Sequence, residues 1–202
     1  MFESVSILWL PSVILFLLVG IFAFTCALPP LQLDPPSAGE GKFLATLLAN
    51  RVYLFYAVLF FLQFSHGVYY GFFSIYLESY GYGKLLIGVV WALGVISEIV
   101  IFIYVPRLFR RFTLYQLLSV SLLATAIRWV IVGEFAEHVW VVCVSQLLHA
   151  LSFGVCHAVV IQFIKTRFAE QAQGQGQAFY SAVSFGGGAA AGTYVSGFIW
   201  QL

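Results

Sequence analysis

A chain of 202 residues that is 62% hydrophobic and 8% charged cannot cover a water-facing surface, since soluble domains carry about 25% charged residues. Nine Lys and Arg against eight Asp and Glu give a net charge of +1, with the basic residues scattered among short connections rather than forming the stripe that follows a nucleic-acid backbone. A water-soluble domain and a nucleic-acid partner are set aside, and a chain embedded in a lipid bilayer remains.

A membrane-crossing helix needs about 20 consecutive apolar residues. The first such run, residues 7–28, follows Glu3 rather than a basic cluster and is long for the apolar part of a leader, so it reads as a mature span. Residues 29–41 follow, where Pro29, Pro30, Pro35, Pro36, Gly39 and Gly41 forbid a continuous helix. Residues 42–50 read as a short helix at the membrane surface. Five more apolar runs come next, at 52–77, 85–105, 114–132, 139–164 and 178–199. Transmembrane strands would be about 10 residues long with alternating polarity, whereas these runs are longer and apolar on nearly every side. The expected fold is all-α, a polytopic membrane helix bundle of six spans. It divides into a single span (1–28), a linker with a short helix (29–50) and a five-helix part (51–202).

The connections are asymmetric in charge. Lys42, Arg51, Arg107, Arg110, Arg111, Lys165 and Arg167 fall on one side, the middle three in a tight turn beginning at Pro106. Glu3, Glu78, Glu134 and Glu137 fall on the other with Lys84. The positive-inside rule makes the basic side cytoplasmic, so both chain ends are expected on the non-cytoplasmic side. That topology, with a last span stopping at Trp200-Gln201-Leu202, predicts a piece of a longer protein, with an intact six-span protein of short tails as the alternative. Cys26, Cys143 and Cys156 all lie within spans, so neither a disulfide framework nor a metal site is expected.

Ionisable side chains inside a span cost a few kcal/mol or more and mark candidate functional positions. Here they are His66 in the second span, Glu98 in the third, Arg128 in the fourth, and His149 and His157 in the fifth. At about 1.5 Å per residue, His66 and His149 lie near mid-bilayer, Arg128 towards the outer face, and Glu98 and His157 towards the cytoplasmic face. Such a column of titratable groups suits proton-coupled transport. The alternatives are a structural pairing for Glu98 or His157 and snorkelling of Arg128 to the interface. Gln63, His66, Tyr70 and Ser74 recur at helical spacing as a polar and aromatic stripe, either lining a substrate cavity or bonding across helices. Gln146, His149 and Phe153 share a face in the same way. In the sixth span Gly188 and Gly192 form a small-xxx-small pair. With Gly67, Gly71, Gly88 and Gly94 they predict tightly crossed helices able to move as alternating access requires.

No H-E-x-x-H, G-x-S-x-G or Walker A sequence is present, and the eight-residue spacing of His149 and His157 does not suit a pair of zinc ligands on one helix. No cofactor is expected. An intramembrane enzyme using His149 or Glu98, and a non-transporting membrane subunit packed through its glycine-rich sixth span, stand as alternatives.

Four segments carry a family resemblance. They are Gln63-Phe64-Ser65-His66-Gly67-Val68-Tyr69-Tyr70-Gly71-Phe72, the stretch from Ile87-Gly88-Val89 to Ser97-Glu98-Ile99, Ala126-Ile127-Arg128-Trp129, and Gln146-Leu147-Leu148-His149-Ala150-Leu151-Ser152-Phe153-Gly154. In this order they resemble the major facilitator superfamily, in the phenylpropionate permease-like branch near the nucleoside and oligosaccharide proton symporters. The resemblance covers about residues 54–200, aligned with helices 7 to 11 of a twelve-helix transporter, with residues 7–28 as helix 6. It implies a substrate site between two six-helix halves. It also implies proton symport of a small organic solute of the aromatic acid, sugar or nucleoside class, in a bacterial inner membrane, with the lipid bilayer and the missing transporter helices as partners. Lactose-permease-like relatives place an arginine on helix 9 and, on helix 10, a histidine followed three residues later by an acid. Arg128 and His149 match the first two, but the third position is Ser152, which leaves Glu98 as the expected carboxylate. Glu98, His149 and Arg128 are therefore the proton-coupling candidates, and Gln63, His66, Tyr70, Ser74 and Gln146 the substrate-cavity candidates.

Overall fold

A computed structural model describes residues 42–48 and 52–200; the span expected at 7–28 and the linker at 29–41 lie outside the described residues. Every described element is helical. A short helix, α1 (Lys42–Leu48), precedes three long ones: α2 (Val52–Ser79), α3 (Lys84–Arg111) and α4 (Leu114–Phe135). The next rod comprises α5 (Val139–His149), a π-helical segment Ala150–Val155 and α6 (Cys156–Arg167). The last comprises α7 (Glu170–Ser181), a second π-helical segment Ala182–Ala189 and α8 (Ala190–Trp200).

Among the described residues, four rods are long and apolar enough to cross a membrane: Val52–Ser79, Lys84–Arg111, Leu114–Phe135 and Val139–Arg167. The rod from Glu170 to Trp200, which holds the span expected at 178–199, falls outside that set because Gly186, Gly187, Gly188 and Gly192 with Ser181 and Ser184 dilute its apolar content. It is nevertheless helical throughout.

Short connections force neighbouring rods antiparallel. Between α2 and α3 the chain reverses at Gly81, whose φ of 83° is one that a side chain disfavours; Tyr82 N closes the turn on the Leu77 carbonyl at 3.2 Å. Between α3 and α4 only Phe112 and Thr113 intervene. Thr113 caps α4 reciprocally, its Oγ1 accepting from Gln116 N at 3.2 Å while Thr113 N donates to Gln116 Oε1 at 3.0 Å, which satisfies two N–H groups that a helix start leaves without partners.

The basic stretch from Pro106 to Arg111 is not a tight turn. Helix α3 runs through Pro106 and ends at Arg111. One proline removes a single backbone donor, which a packed membrane helix tolerates, and Arg110 and Arg111 in the last turn complement the helix C-terminus. This end of α3 shares a side of the bundle with the start of α4 and the end of α6, where Arg167 Nη2 donates to the Tyr115 hydroxyl at 3.2 Å. At the opposite end Tyr82 donates to the Ala136 carbonyl at 2.7 Å.

The distribution of polarity is that of a bundle in lipid. Leu85, Val89, Ile96, Ile99 and Ile103 of α3 point outward and are exposed, while Gln63, His66, Arg128, Gln146, Ser121, Thr125 and Ser145 are buried between helices. In water this arrangement would be unfavourable on both counts; in a bilayer each side chain meets its preferred surroundings.

Glycines set how closely the rods approach. Gly188 and Gly192 lie against the backbone carbonyls of Phe60 and Phe64, and Gly67 lies against the backbone of Ala189 and Thr193, so α2 and the last rod interlock from both sides. Thr193 Oγ1 donates to the Gly67 carbonyl at 2.8 Å, and Gly71 meets the Thr193 methyl. Gly94 lets α3 approach α5 next to Gln146. Gly88, expected to pack in the same way, has no heavy atom within 4 Å of where a Cβ would sit: it lies on the outward face of α3, one residue from Val89.

Candidate functional site

The polar centre is assembled from four rods. His149, the last residue of α5, lies between Arg128 of α4 and Glu98 of α3: Arg128 Nη1 is 2.9 Å from His149 Nδ1, and His149 Nε2 is 2.8 Å from Glu98 Oε1. A guanidinium only donates, so Nδ1 accepts and the imidazole proton resides on Nε2, from which it is donated to the carboxylate. Arg128 and Glu98 thus communicate through one neutral ring whose tautomer the arginine dictates. The three groups balance in charge.

Arg128 is fully buried. Its guanidinium carbon lies 4.2 Å from the centroid of the Tyr69 ring and 4.8 Å from that of Trp129, so aromatic faces take over much of what water would supply. Snorkelling to the interface is ruled out by this burial, since the side chain bends inward to His149. Arg128 Nη2 also donates to Gln146 Oε1 at 3.4 Å, and the same oxygen accepts from the Tyr69 hydroxyl at 2.8 Å. Ser97 Oγ, 3.0 Å from the Gln146 carbonyl, ties α3 to α5 at this level.

The stripe on α2 divides. His66 is fully buried; its Nδ1–H donates to the Leu62 carbonyl at 2.9 Å, and its ring lies 5.9 Å from His149 and 5.2 Å from Trp129. Gln63 is buried one turn earlier. Tyr70 is exposed and stacks on Trp91 at 6.2 Å and 17°, and Ser74 Oγ accepts from Trp91 Nε1 at 3.0 Å. Tyr70 and Ser74 therefore sit beside Trp91 on the rim, while Gln63 and His66 face inward. Tyr69, which lies outside the spaced polar stripe, is the residue that completes the inner face at i+3 from His66. A signal for it existed: Phe73 continues that face at i+7, and both residues are buried.

Among the described residues, both amide atoms of Gln63, His66 Nε2, Arg128 Nε, Trp129 Nε1 and Ser184 Oγ are buried without a hydrogen-bond partner. Each unmade bond costs about 1–3 kcal/mol, and those of His66, Arg128 and Trp129 fall together, since the Trp129 ring touches both of the others, which marks a place built for something other than maximal stability. No group of three or more potential metal ligands occurs among the described residues. An apolar groove lined by Leu47, Tyr56, Phe60, Phe179 and Val183 lies apart from this centre.

Rods that are apolar outside, close-packed through glycine, and crossed inside by an Arg-His-Glu chain define an integral membrane helix bundle. The whole chain, residues 1–202, matches the model of the MFS_1 like family, and the protein belongs to that family of the major facilitator superfamily. It is 36% identical over 165 residues to a probable 3-phenylpropionic acid transporter of Escherichia coli strain K12, covering 82% of this chain and 42% of the relative. It is 27% identical over 187 residues to a maltose permease of Geobacillus stearothermophilus, covering 89% and 46%. An uncharacterized transporter of Bacillus subtilis strain 168, YwbF, is 22% identical over 192 residues, covering 90% and 48%. The chain therefore spans less than half the length of each of these curated relatives. No solved structure matches it. Membership of a family of transport proteins sets aside the intramembrane enzyme.

Proposed function

We propose that this chain forms part of a secondary transporter that carries a small organic anion, of the aromatic acid class, across a bacterial inner membrane together with a proton. The basic ends of α3 and α6 face the cytoplasm in this reading, following the positive-inside rule. The observation that carries it is the Arg128–His149–Glu98 chain, with contacts of 2.9 and 2.8 Å.

The physical logic is charge balance. Arg128 is buried with one carboxylate as its counter-charge, relayed through His149, and an uncompensated buried charge is costly. When a proton bonds to Glu98, the carboxylate is neutralised and the guanidinium is left in excess. An anionic solute entering at that moment restores the balance, so proton and solute each raise the affinity for the other, as linkage demands. The rim rings of Tyr70 and Trp91 offer aromatic faces to an aromatic solute. Gln63, His66 and Gln146 supply the polar groups that orient it. The name of the Escherichia coli relative agrees with this class. A neutral sugar would leave the charge logic unused.

The test is uptake of radiolabelled 3-phenylpropionate into proteoliposomes containing the full-length transporter. Accumulation should follow an imposed inward proton gradient and collapse with a protonophore. Glu98→Gln should abolish accumulation while sparing solute exchange at equal pH, and Arg128→Ala should abolish both. Wild-type accumulation in Glu98→Gln, Arg128→Ala and His149→Ala together would remove the chain from the mechanism.

A further inference from the structure

Glu98 lies against a rod that carries two histidines, and only one of them belongs to the chain described above. Gly154 lies on the fifth rod between His149 and His157, and a Cβ there would come within 3.7 Å of Glu98 Cγ and 3.8 Å of Glu98 Cα. The missing side chain lets α3 settle against the fifth rod at the level of Glu98, one helical turn before His157. His157 in turn reaches α7, its Nδ1 lying 3.3 Å from the hydroxyl of Tyr180. His157 is half-buried and Tyr180 is buried.

The alignment depends on the π-helical segment Ala150–Val155. In an undistorted α-helix, eight residues advance about 2.2 turns, which sets His157 roughly 80° around the axis from His149. The wider turns cancel much of that rotation. The rings record the result: His149 and Phe153 lie 5.3 Å apart at 20°, and Phe153 and His157 lie 6.4 Å apart at 8°. Three rings of one rod stand nearly parallel, the first of them in contact with Glu98.

Beyond Tyr180 the surroundings become polar. Helix α7 begins Glu170-Gln171-Ala172-Gln173-Gly174-Gln175-Gly176-Gln177, with Gln171, Gln175 and Gln177 exposed. Tyr180 lies one turn after Gln177, so the His157 side of Glu98 leads towards the end of the bundle that carries Arg167, Arg110 and Arg111. The groups against His157 are Tyr180 from α7 and the Phe153 ring of its own rod, with Glu98 of α3 packed on Gly154 one turn before it.

We propose that His157, positioned by Tyr180, is the group that takes the proton from Glu98 on the basic side of the membrane. This rests on the symport reading above. With Nδ1–H donated to the Tyr180 oxygen, Nε2 carries the lone pair that receives the proton. The Glu98 side chain turns from His149 to His157, its O–H bond breaks as the Nε2–H bond forms, leaving a carboxylate and an imidazolium, and the imidazolium gives the proton to water near Gln177. Glu98 then serves two histidines in turn. It is paired with His149 while Arg128 awaits solute, and it discharges through His157 when solute leaves.

The experiment compares wild type, His157→Gln and Tyr180→Phe of the full-length transporter in proteoliposomes, with 3-phenylpropionate as probe. Two rates are read: solute-driven acidification of the lumen, by a trapped pH dye, and solute counterflow at equal pH, which needs no net proton release. Expected is a fall of about tenfold or more in acidification for His157→Gln, the scale of a lost proton-transfer group, with counterflow preserved. Tyr180→Phe should keep counterflow and move the pH profile of acidification. Wild-type acidification in His157→Gln overturns the proposal, as does loss of counterflow along with acidification, which would assign His157 to packing or solute binding. Absence of solute-driven acidification in the wild type overturns the symport reading and this inference with it.

Discussion

Alanine at position 67 adds one methyl group where α2 meets the backbone of the last rod. The new Cβ would lie 2.9 Å from the Ala189 carbonyl carbon, 2.9 Å from the Thr193 nitrogen and closer still to the Ala189 oxygen, whereas ordinary contact begins at 3.4 Å. All three atoms are backbone, so no rotamer change relieves them, and the rods must part by at least about 0.5 Å on a steep repulsive wall. Overpacking of this sort costs about 1–3 kcal/mol, and stretching the Thr193 to Gly67 hydrogen bond costs about 1 kcal/mol more. Alanine returns about 1 kcal/mol in helix propensity, leaving a net loss of about 1–3 kcal/mol. At about 2–4 °C per kcal/mol for 150–250 residues and less for a longer chain, Tm of the full-length protein should fall by up to about 12 °C. The same change at Gly88, where nothing lies within 4 Å, keeps only the propensity gain and should leave Tm unchanged or slightly raised. Thermal unfolding of the detergent-solubilised full-length protein with a thiol-reactive dye reads both, because buried Cys156 reacts when the bundle opens, above the baseline set by partly exposed Cys143. A Gly67→Ala protein that melts at or above the wild-type temperature, or a Gly88→Ala protein that falls as far, would refute the interlock.

Other perturbations address the polar centre. Gly94→Ala places a Cβ 3.1 Å from Gln146 Oε1; displacing that oxygen from Tyr69 and Arg128 should slow solute counterflow by about tenfold or more without lowering Tm. Arg128→Lys keeps the charge but cannot hold His149 and Gln146 together, so its counterflow should resemble that of Arg128→Ala; wild-type rates would show that charge alone suffices. Tyr69→Phe removes the hydroxyl that donates to Gln146, a loss of about 1 kcal/mol, and should raise the KM for 3-phenylpropionate about fivefold while sparing folding.

Much of the site was legible in the sequence because an ionisable residue in an apolar run is conspicuous whatever the fold. His66, Glu98, Arg128, His149 and His157 stand out against their neighbours, and Gly188 and Gly192 follow a spacing with one dominant use. Their mutual distances were not legible. Arg128 and His149 lie 21 residues apart and Glu98 and His149 lie 51 apart, and whether such groups meet depends on helix rotation and on side-chain reach. Axial height alone placed Arg128 towards the outer face; its long side chain brings the guanidinium to His149 instead. Tyr69 went unnoticed because Tyr70 beside it fits a polar stripe equally well by spacing, and only packing decides which of two adjacent tyrosines turns inward.

The helix boundaries divide in the same way. Apolar length, loop charge and proline content determined by themselves that this is an all-α membrane bundle and roughly where its rods begin and end, because lipid leaves the backbone few other solutions. They misplaced the end of α3, since a proline near a helix terminus looks like a stop in sequence while packing carries the helix on to Arg111. The two π-helical segments had no sequence signature. They arise where a rod must pass closely against its neighbours, at Gly154 beside Glu98 and at Gly188 beside Phe60, and the widened turns that align the rings of His149, Phe153 and His157 exist only once those neighbours are in place.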